Sequence, residues 1–247
     1  MSSAGEARTS ASMPNVEAVV FDVDGLLIDS ERLYFDTEAT NRVLDGYPGG
    51  HRMTPQIKQK LMGRPGPDAT RMLIELTGVD ATVEDIGSKM QPILQELFRT
   101  VKPLPGAIRL VKHLHAHGIP IAIATGSRRD NLEIKSSGLR ELFDCFLPDH
   151  VVTADTLAEL GLHGKPAGDI FELAARRLGR TTAEARSRTL VFEDGVPGVE
   201  AARAAGCPCV WVPDQELLPH LPPQMPTLQL VSLEDFRPEH FGLPAFS

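Results

Sequence analysis

The polar and apolar positions change rhythm twice along the chain. Glu17 to Phe21, EAVVF, is a short Val-rich apolar run bounded by acids, which predicts a buried strand. From Ser30 to Thr100 apolar residues recur at helical spacing instead. SERLYFDTEATNRVL carries Leu33, Tyr34, Thr37 and Val43 or Leu44 on that repeat. TPQIKQKLM opens with Thr54 as N-cap and Pro55 at the first helical position. PDATRMLIEL and VEDIGSKMQPILQELFRTV follow, and Pro92 is expected to kink or split the second. Glycine and proline mark loops at GYPGG (46–50) and GRPGP (63–67).

From Pro103 onward strand and helix alternate. PGAIRLVKHLHAHG reads as a helix closed by Gly118, IPIAIAT as a strand, SRRDNLEIKSSG as a helix and VVTA as a short strand. GDIFELAARRLG, RTLVFED, PGVEAARAAG and CPCVWVP continue the alternation, and TLQLVSLEDF adds a last strand and a short helix. Such alternation implies a parallel sheet with helices on both faces. The expected fold class is α/β: a Rossmann-like parallel-sheet core with an inserted α-helical segment. Residues 16–30 and 103–247 are expected to form the core, 31–102 the helical insert and 1–15 a disordered tail.

Composition narrows the function. A chain of 247 residues with 42% apolar and 23% charged residues is globular, and a net charge of −8 argues against general affinity for nucleic-acid backbones. No apolar run is long enough to cross a bilayer, and the first residues lack the apolar segment of a secretory signal. Three cysteines suit a reducing compartment, so a cytoplasmic location is expected. Cys207 and Cys209 read as small buried apolar residues, Trp211 as part of a core strand, and His113, His115 and His117 as solvated or capping residues. Without heptads or a long exposed apolar face, a monomer is the default.

The chemistry gathers at strand ends, where parallel sheets bind ligands. EAVVF is followed by Asp22-Val23-Asp24-Gly25, IAIA by Thr125-Gly126-Ser127, and LVF by Glu193-Asp194-Gly195; Gly164-Lys165-Pro166 precedes a helix. Asp22, Asp24 and Asp194 would crowd three negative charges, which a hard cation such as Mg²⁺ relieves. Thr125, the Gly126 amide and Lys165 suit phosphate oxygens. The set points to phosphoryl transfer onto an aspartate, with Asp22 as nucleophile and Asp24 as general acid and base. Asp24 would also offer its main-chain carbonyl to the metal, and Gly25 its amide to the phosphate. Glu193 stands beside or behind the metal ligands. Ser127 and, from the helical insert, Arg64 are candidate substrate contacts.

These segments resemble the haloacid dehalogenase superfamily of phosphatases. DVDGLLIDS is similar to its first motif, IAIATGS to the second, GKPAGDIF to the third and VFEDGVPGVEAARAAG to the fourth. Two departures are visible: Gly168 replaces the second proline of GKP-x-PD, and Gly195 follows the fourth-motif acids where Ser is common. LPGAIRLVKHLHAHGIPIAIATGS and the ending LEDFRPEHFGLPAF resemble a narrower branch of pseudouridine-5'-phosphatases and sugar- or glycerol-phosphate phosphatases. The resemblance implies a Mg²⁺-dependent hydrolase of a small phosphorylated metabolite, with no nucleic-acid or membrane partner, and an α-helical cap domain formed by the insert, residues 31–102. A β-phosphoglucomutase-like phosphomutase is the alternative. Mutases of that type carry a histidine twelve positions after the nucleophile, where this chain has Tyr34.

Overall fold

The computed structural model describes residues 13–61 and 66–246. Nearly all of the expected tail, and Arg64, lie outside the described residues. The strands are β1 (Ala18–Phe21), β2 (Ile121–Ala124), β3 (Val151–Val152), β4 (Thr189–Glu193), β5 (Cys209–Trp211) and β6 (Leu228–Gln229). They form one parallel sheet in the order β3-β2-β1-β4-β5-β6. The order reverses direction beside β1, the place where parallel sheets bind ligands at the carboxyl edge.

The helices before β2 are α1 (Glu31–Tyr34), α2 (Thr37–Leu44), α3 (Pro55–Leu61), α4 (Gly66–Thr77), α5 (Val83–Phe98) and α6 (Ala107–Ala116). Those after it are α7 (Arg129–Ser136), α8 (Arg140–Phe143), α9 (Ala154–Glu159), α10 (Asp169–Arg177), α11 (Ala183–Arg186) and α12 (Val196–Ala204).

Strand residues alternate between two cores because successive side chains point to opposite faces. Val19, Phe21, Ile123 and Phe192 join Leu110 and Leu114 of α6 and Phe236 and Phe241 near the C-terminus. Val20, Ala122, Val191 and Trp211 join Ile170 and Phe171 of α10 and Val199 of α12. The strands are short, but the two-sided burial expected from their continuous apolar runs is present.

The helical insert builds a third apolar cluster of its own, including Phe35, Leu44, Leu73, Met90, Leu94 and Phe98. Its two connections to the core run side by side: Asp29 N–H donates to Lys102 O at 2.9 Å, and Leu104 N–H to Leu27 O at 3.0 Å.

Several local expectations are corrected. SERLYFDTEATNRVL breaks into α1 and α2, because Asp36 turns out of the helix and accepts from Ala39 N–H at 2.7 Å as an N-cap. The helix containing Pro92 is not split; α5 runs unbroken from Val83 to Phe98. Its buried stripe is Ile86, Met90, Leu94 and Phe98, while Pro92 lies exposed, so the backbone group it leaves unpaired faces water. The solvated or capping role expected of the histidines holds for exposed His115 and for His117, the C-cap of α6, whose ring centroid lies 4.3 Å from that of His113. His113 and His117 are engaged with carbonyls: His113 Nε2 lies 2.8 Å from Pro244 O, and His117 Nδ1 lies 2.8 Å from His113 O.

Gly168 explains its own departure from the proline pattern. A Cβ there would stand 2.7 Å from Ala205 N, so the packing of α10 against the end of α12 requires a residue without a side chain.

Candidate active site

Asp22 directly follows β1, and its N–H continues the ladder by donating to Phe192 O at 3.0 Å. The side chain is therefore fixed at the sheet edge, 5% exposed. Lys165 donates to Asp22 Oδ1, and its Nζ also lies 2.6 Å from Glu193 Oε1. The second approach is an ion pair that engages the otherwise unpartnered, buried Glu193 Oε1. Glu193 Oε2 accepts from the N–H groups of Asp194 and Gly195, each at 3.0 Å. Glu193 thus ties the lysine to the loop that carries Asp194.

Gly198 makes room for this. A Cβ at that position would overlap the Glu193 carboxylate.

Oxygens of Asp22, Glu193 and Asp194 lie within 4.8 Å of one another. Burial pushes the Asp22 carboxyl up to about 7; Lys165 opposes this, and Glu193 and Asp24 reinforce it. Asp194 is half-buried, yet the surrounding protein, and then Glu193 and Asp22, raise it well above the usual carboxylate range. Burial disfavours the charge on Lys165, but Asp22 and Glu193 outweigh it and hold the ammonium charged.

A cation fits this donor set. It is all oxygen and partly deprived of solvent, and among the described residues no side chain donates a hydrogen bond to the Asp194 carboxylate. Trp211, expected only as core, reaches this loop too, donating its indole N–H to Asp194 O at 2.7 Å.

Three assignments made from sequence change. Asp24 does not bring its carboxylate to the acidic cluster. Oδ1 accepts from Ser30 Oγ and, at 2.5 Å, from Lys135 Nζ, while Oδ2 accepts from Ser127 Oγ at 2.7 Å and Thr125 Oγ1 at 3.4 Å. Burial alone would raise Asp24; the charge of Lys135 and the hydrogen bonds from Lys135, Ser30 and Ser127 hold it below the usual value.

Ser127 turns its hydroxyl to Asp24 and accepts from Lys135 at 2.9 Å, so it supports Asp24 rather than facing the mouth of the cleft. The Gly25 N–H, expected to be free for a phosphate, donates to Ile28 O at 2.9 Å. Gly25 instead supplies a left-handed bend, φ +79°. Thr125 and Gly126 sit at the β2 end as expected, and the Thr125 hydroxyl also accepts from Ser127 N–H at 3.0 Å.

Lys135, Ser30 and Trp211 are the residues that the sequence reading did not place at the site. For Lys135 one hint exists: it stands three positions after Leu132 on the buried stripe of α7.

A family model for haloacid dehalogenase-like hydrolases matches residues 16–206. The Drosophila melanogaster protein named probable pseudouridine-5'-phosphatase is 41% identical over 232 residues, covering 92% of this chain and 94% of that protein. The Arabidopsis thaliana protein named (DL)-glycerol-3-phosphatase 2 is 40% identical over 243 residues, covering 97% of each. The crystal structure of a family IA hydrolase from Entamoeba histolytica superposes with a TM-score of 0.73 at 23% identity, covering 92% of this chain and 98% of that one, a likeness of fold. The chain belongs to the haloacid dehalogenase-like hydrolase family. It is a phosphoric monoester hydrolase of the branch that LPGAIRLVKHLHAHGIPIAIATGS and the ending LEDFRPEHFGLPAF resemble. No described helix is long and apolar enough to cross a membrane.

Proposed function

We propose that the protein is a Mg²⁺-dependent phosphatase of a small phosphomonoester: pseudouridine 5'-phosphate or another nucleotide, a sugar phosphate or glycerol phosphate. The observation that carries this reading is the pairing of Lys165 with both Asp22 and Glu193 beside the Asp194 carboxylate. A nucleophilic carboxylate, a phosphate-facing cation and an acidic oxygen cluster then share one strand edge.

Asp22 attacks phosphorus, the ester P–O bond breaks, and Asp24, ionised at rest and protonated from solvent before this step, gives that proton to the departing oxygen. Water then attacks the aspartyl phosphate, Asp24 takes its proton, and the bond between phosphorus and Asp22 breaks to release inorganic phosphate. Lys165 offsets the repulsion between Asp22 and the phosphate. Thr125 and the Gly126 amide hold the transferring group. Asp22, Asp194 and the main-chain carbonyl of Asp24 would hold Mg²⁺, with Glu193 behind them. The ion would supply charge neutralisation for the phosphoryl group.

The helical insert, residues 31–102, acts in this reading as a cap that limits substrate size and excludes water. Arg64 is proposed to contact the substrate's non-reacting part. The mutase reading is not favoured: Tyr34 stands at the histidine position, and its hydroxyl lies 3.0 Å from Lys135 Nζ.

The test is phosphate release from pseudouridine 5'-phosphate, glycerol 3-phosphate, 2-deoxyglucose 6-phosphate and β-glucose 1-phosphate, with Mg²⁺ and with chelator. Mg²⁺-dependent release concentrated on one compound is expected. Conversion of glucose 1-phosphate to its 6-phosphate without release would overturn the reading.

A further inference from the structure

Lys135 belongs to none of the segments that carry the reaction, yet its side chain is fully enclosed. Lysine is almost never completely buried unless paired. An ammonium has three N–H donors, and here three oxygens receive them: Asp24 Oδ1 at 2.5 Å, Ser127 Oγ at 2.9 Å and Tyr34 Oη at 3.0 Å. The rings of Phe98 and Tyr34 stand 4.3 and 5.1 Å from Nζ. No donor is left for a substrate. The one reacting group Lys135 touches is Asp24.

The Asp24 carboxylate is gripped on both oxygens. Lys135 and Ser30 hold Oδ1, and Ser127 and Thr125 approach Oδ2. The grip is built from both sides of the cleft, since Ser30 lies where the chain enters the insert while Ser127 and Lys135 come from the core segment after β2. The hydroxyls can rotate; the ammonium, boxed in by Tyr34 and Phe98, is the fixed member.

We propose that Lys135 is a positioning residue that sets the orientation of the Asp24 carboxylate for proton transfer to the leaving group. This rests on the reading of Asp22 as nucleophile and Asp24 as acid and base.

The experiment compares wild type, Lys135→Met and Lys135→Gln on two esters. One is the best alkyl phosphate of the panel above, whose alkoxide needs a proton to leave. The other is p-nitrophenyl phosphate, whose leaving group does not. Lys135→Met is expected to lower kcat/KM for the alkyl ester by roughly 100-fold, and for the aryl ester by about tenfold or less. KM should stay within about threefold. Gln, which keeps a donor, should lose less than Met.

In an Asp24→Asn background, adding Lys135→Met should cost less than about twofold more, because the two residues act as a unit. Equal losses on both esters, additive losses in the Asp24→Asn background, or an effect confined to KM would each overturn the proposal. So would failure of both Lys135 variants to give a native near-UV circular dichroism spectrum, which would make the residue structural. If wild type itself releases no phosphate from any ester, the hydrolase reading falls and this proposal with it. If wild type is active, Asp24→Asn is impaired and Lys135→Met is not, only the role of Lys135 falls.

Discussion

Gly25 and Asp194 meet where no side chain fits: a Cβ on Gly25 would overlap Asp194 Oδ2. The backbone there is also left-handed, φ +79°. Gly25→Ala is therefore expected to push the Asp194 carboxylate out of the acidic cluster as well as strain the turn. Activity should fall at least tenfold, and the Mg²⁺ concentration for half-maximal rate should rise, by roughly the same factor. A variant with wild-type Mg²⁺ dependence would show that Asp194 does not hold the ion.

Asp22→Asn should abolish turnover, with a loss of about 10³-fold or more, while the unfolding temperature changes little. Substantial phosphate release by this variant would exclude Asp22 as nucleophile.

Gly198→Ala tests the support behind the site. The added methyl would collide with the buried Glu193 carboxylate. A destabilisation of about 1–3 kcal/mol is expected from overpacking, read by urea unfolding, together with loss of activity as Glu193 releases Lys165. An active, equally stable protein would mean Glu193 has slack that the packing does not show.

The Asp22 carboxyl, raised to about 7 from an ordinary 3.8, and the raised Asp194 bind protons more tightly when folded than when unfolded. Their contribution to stability is present below the unfolded pKa and lost as pH rises through the folded one. For Asp22 without metal, that window runs from about pH 4 to about pH 7. A cation competes with those same protons. The upward shift of the melting temperature caused by Mg²⁺ should therefore be larger at pH 8 than at pH 5. A shift of equal size at both would place the ion elsewhere.

Trp211 is the chain's single tryptophan, and its indole N–H is bonded to Asp194 O at 2.7 Å. Its fluorescence should respond to Mg²⁺ titration, and Trp211→Phe should cost about 1 kcal/mol by removing the indole hydrogen bond to Asp194 O. Emission indifferent to Mg²⁺ in a protein that needs it would uncouple this strand from the metal.

The positions of Asp22, Lys165, Glu193 and Asp194 were legible because each follows a simple local rule: a strand, then an acid, then glycine, or a lysine ahead of a helix. Distances between side chains obey no such rule. Nothing in DVDGLLIDS tells that the Gly25 amide closes on Ile28, or that the Asp24 side chain turns from the other acids toward Ser127. Lys135 was hidden for a related reason. SRRDNLEIKSSG is strongly polar, so a lysine in it reads as solvent-facing; its burial depends on Tyr34 and Phe98, which reach it from a distant stretch of sequence. The unbroken α5 shows the same limit in the fold, because whether Pro92 ends a helix depends on which side faces water.

The paired connections at Asp29–Lys102 and Leu27–Leu104 have a consequence for the history of such a chain. To the sheet, everything between them is one excursion that leaves and returns at a single doorway. The entropy of closing that excursion grows only with the logarithm of its length. Away from Tyr34 and Phe98, which enclose Lys135, the segment across the doorway can be lengthened or trimmed while the strands keep their register and Asp22 keeps its aim.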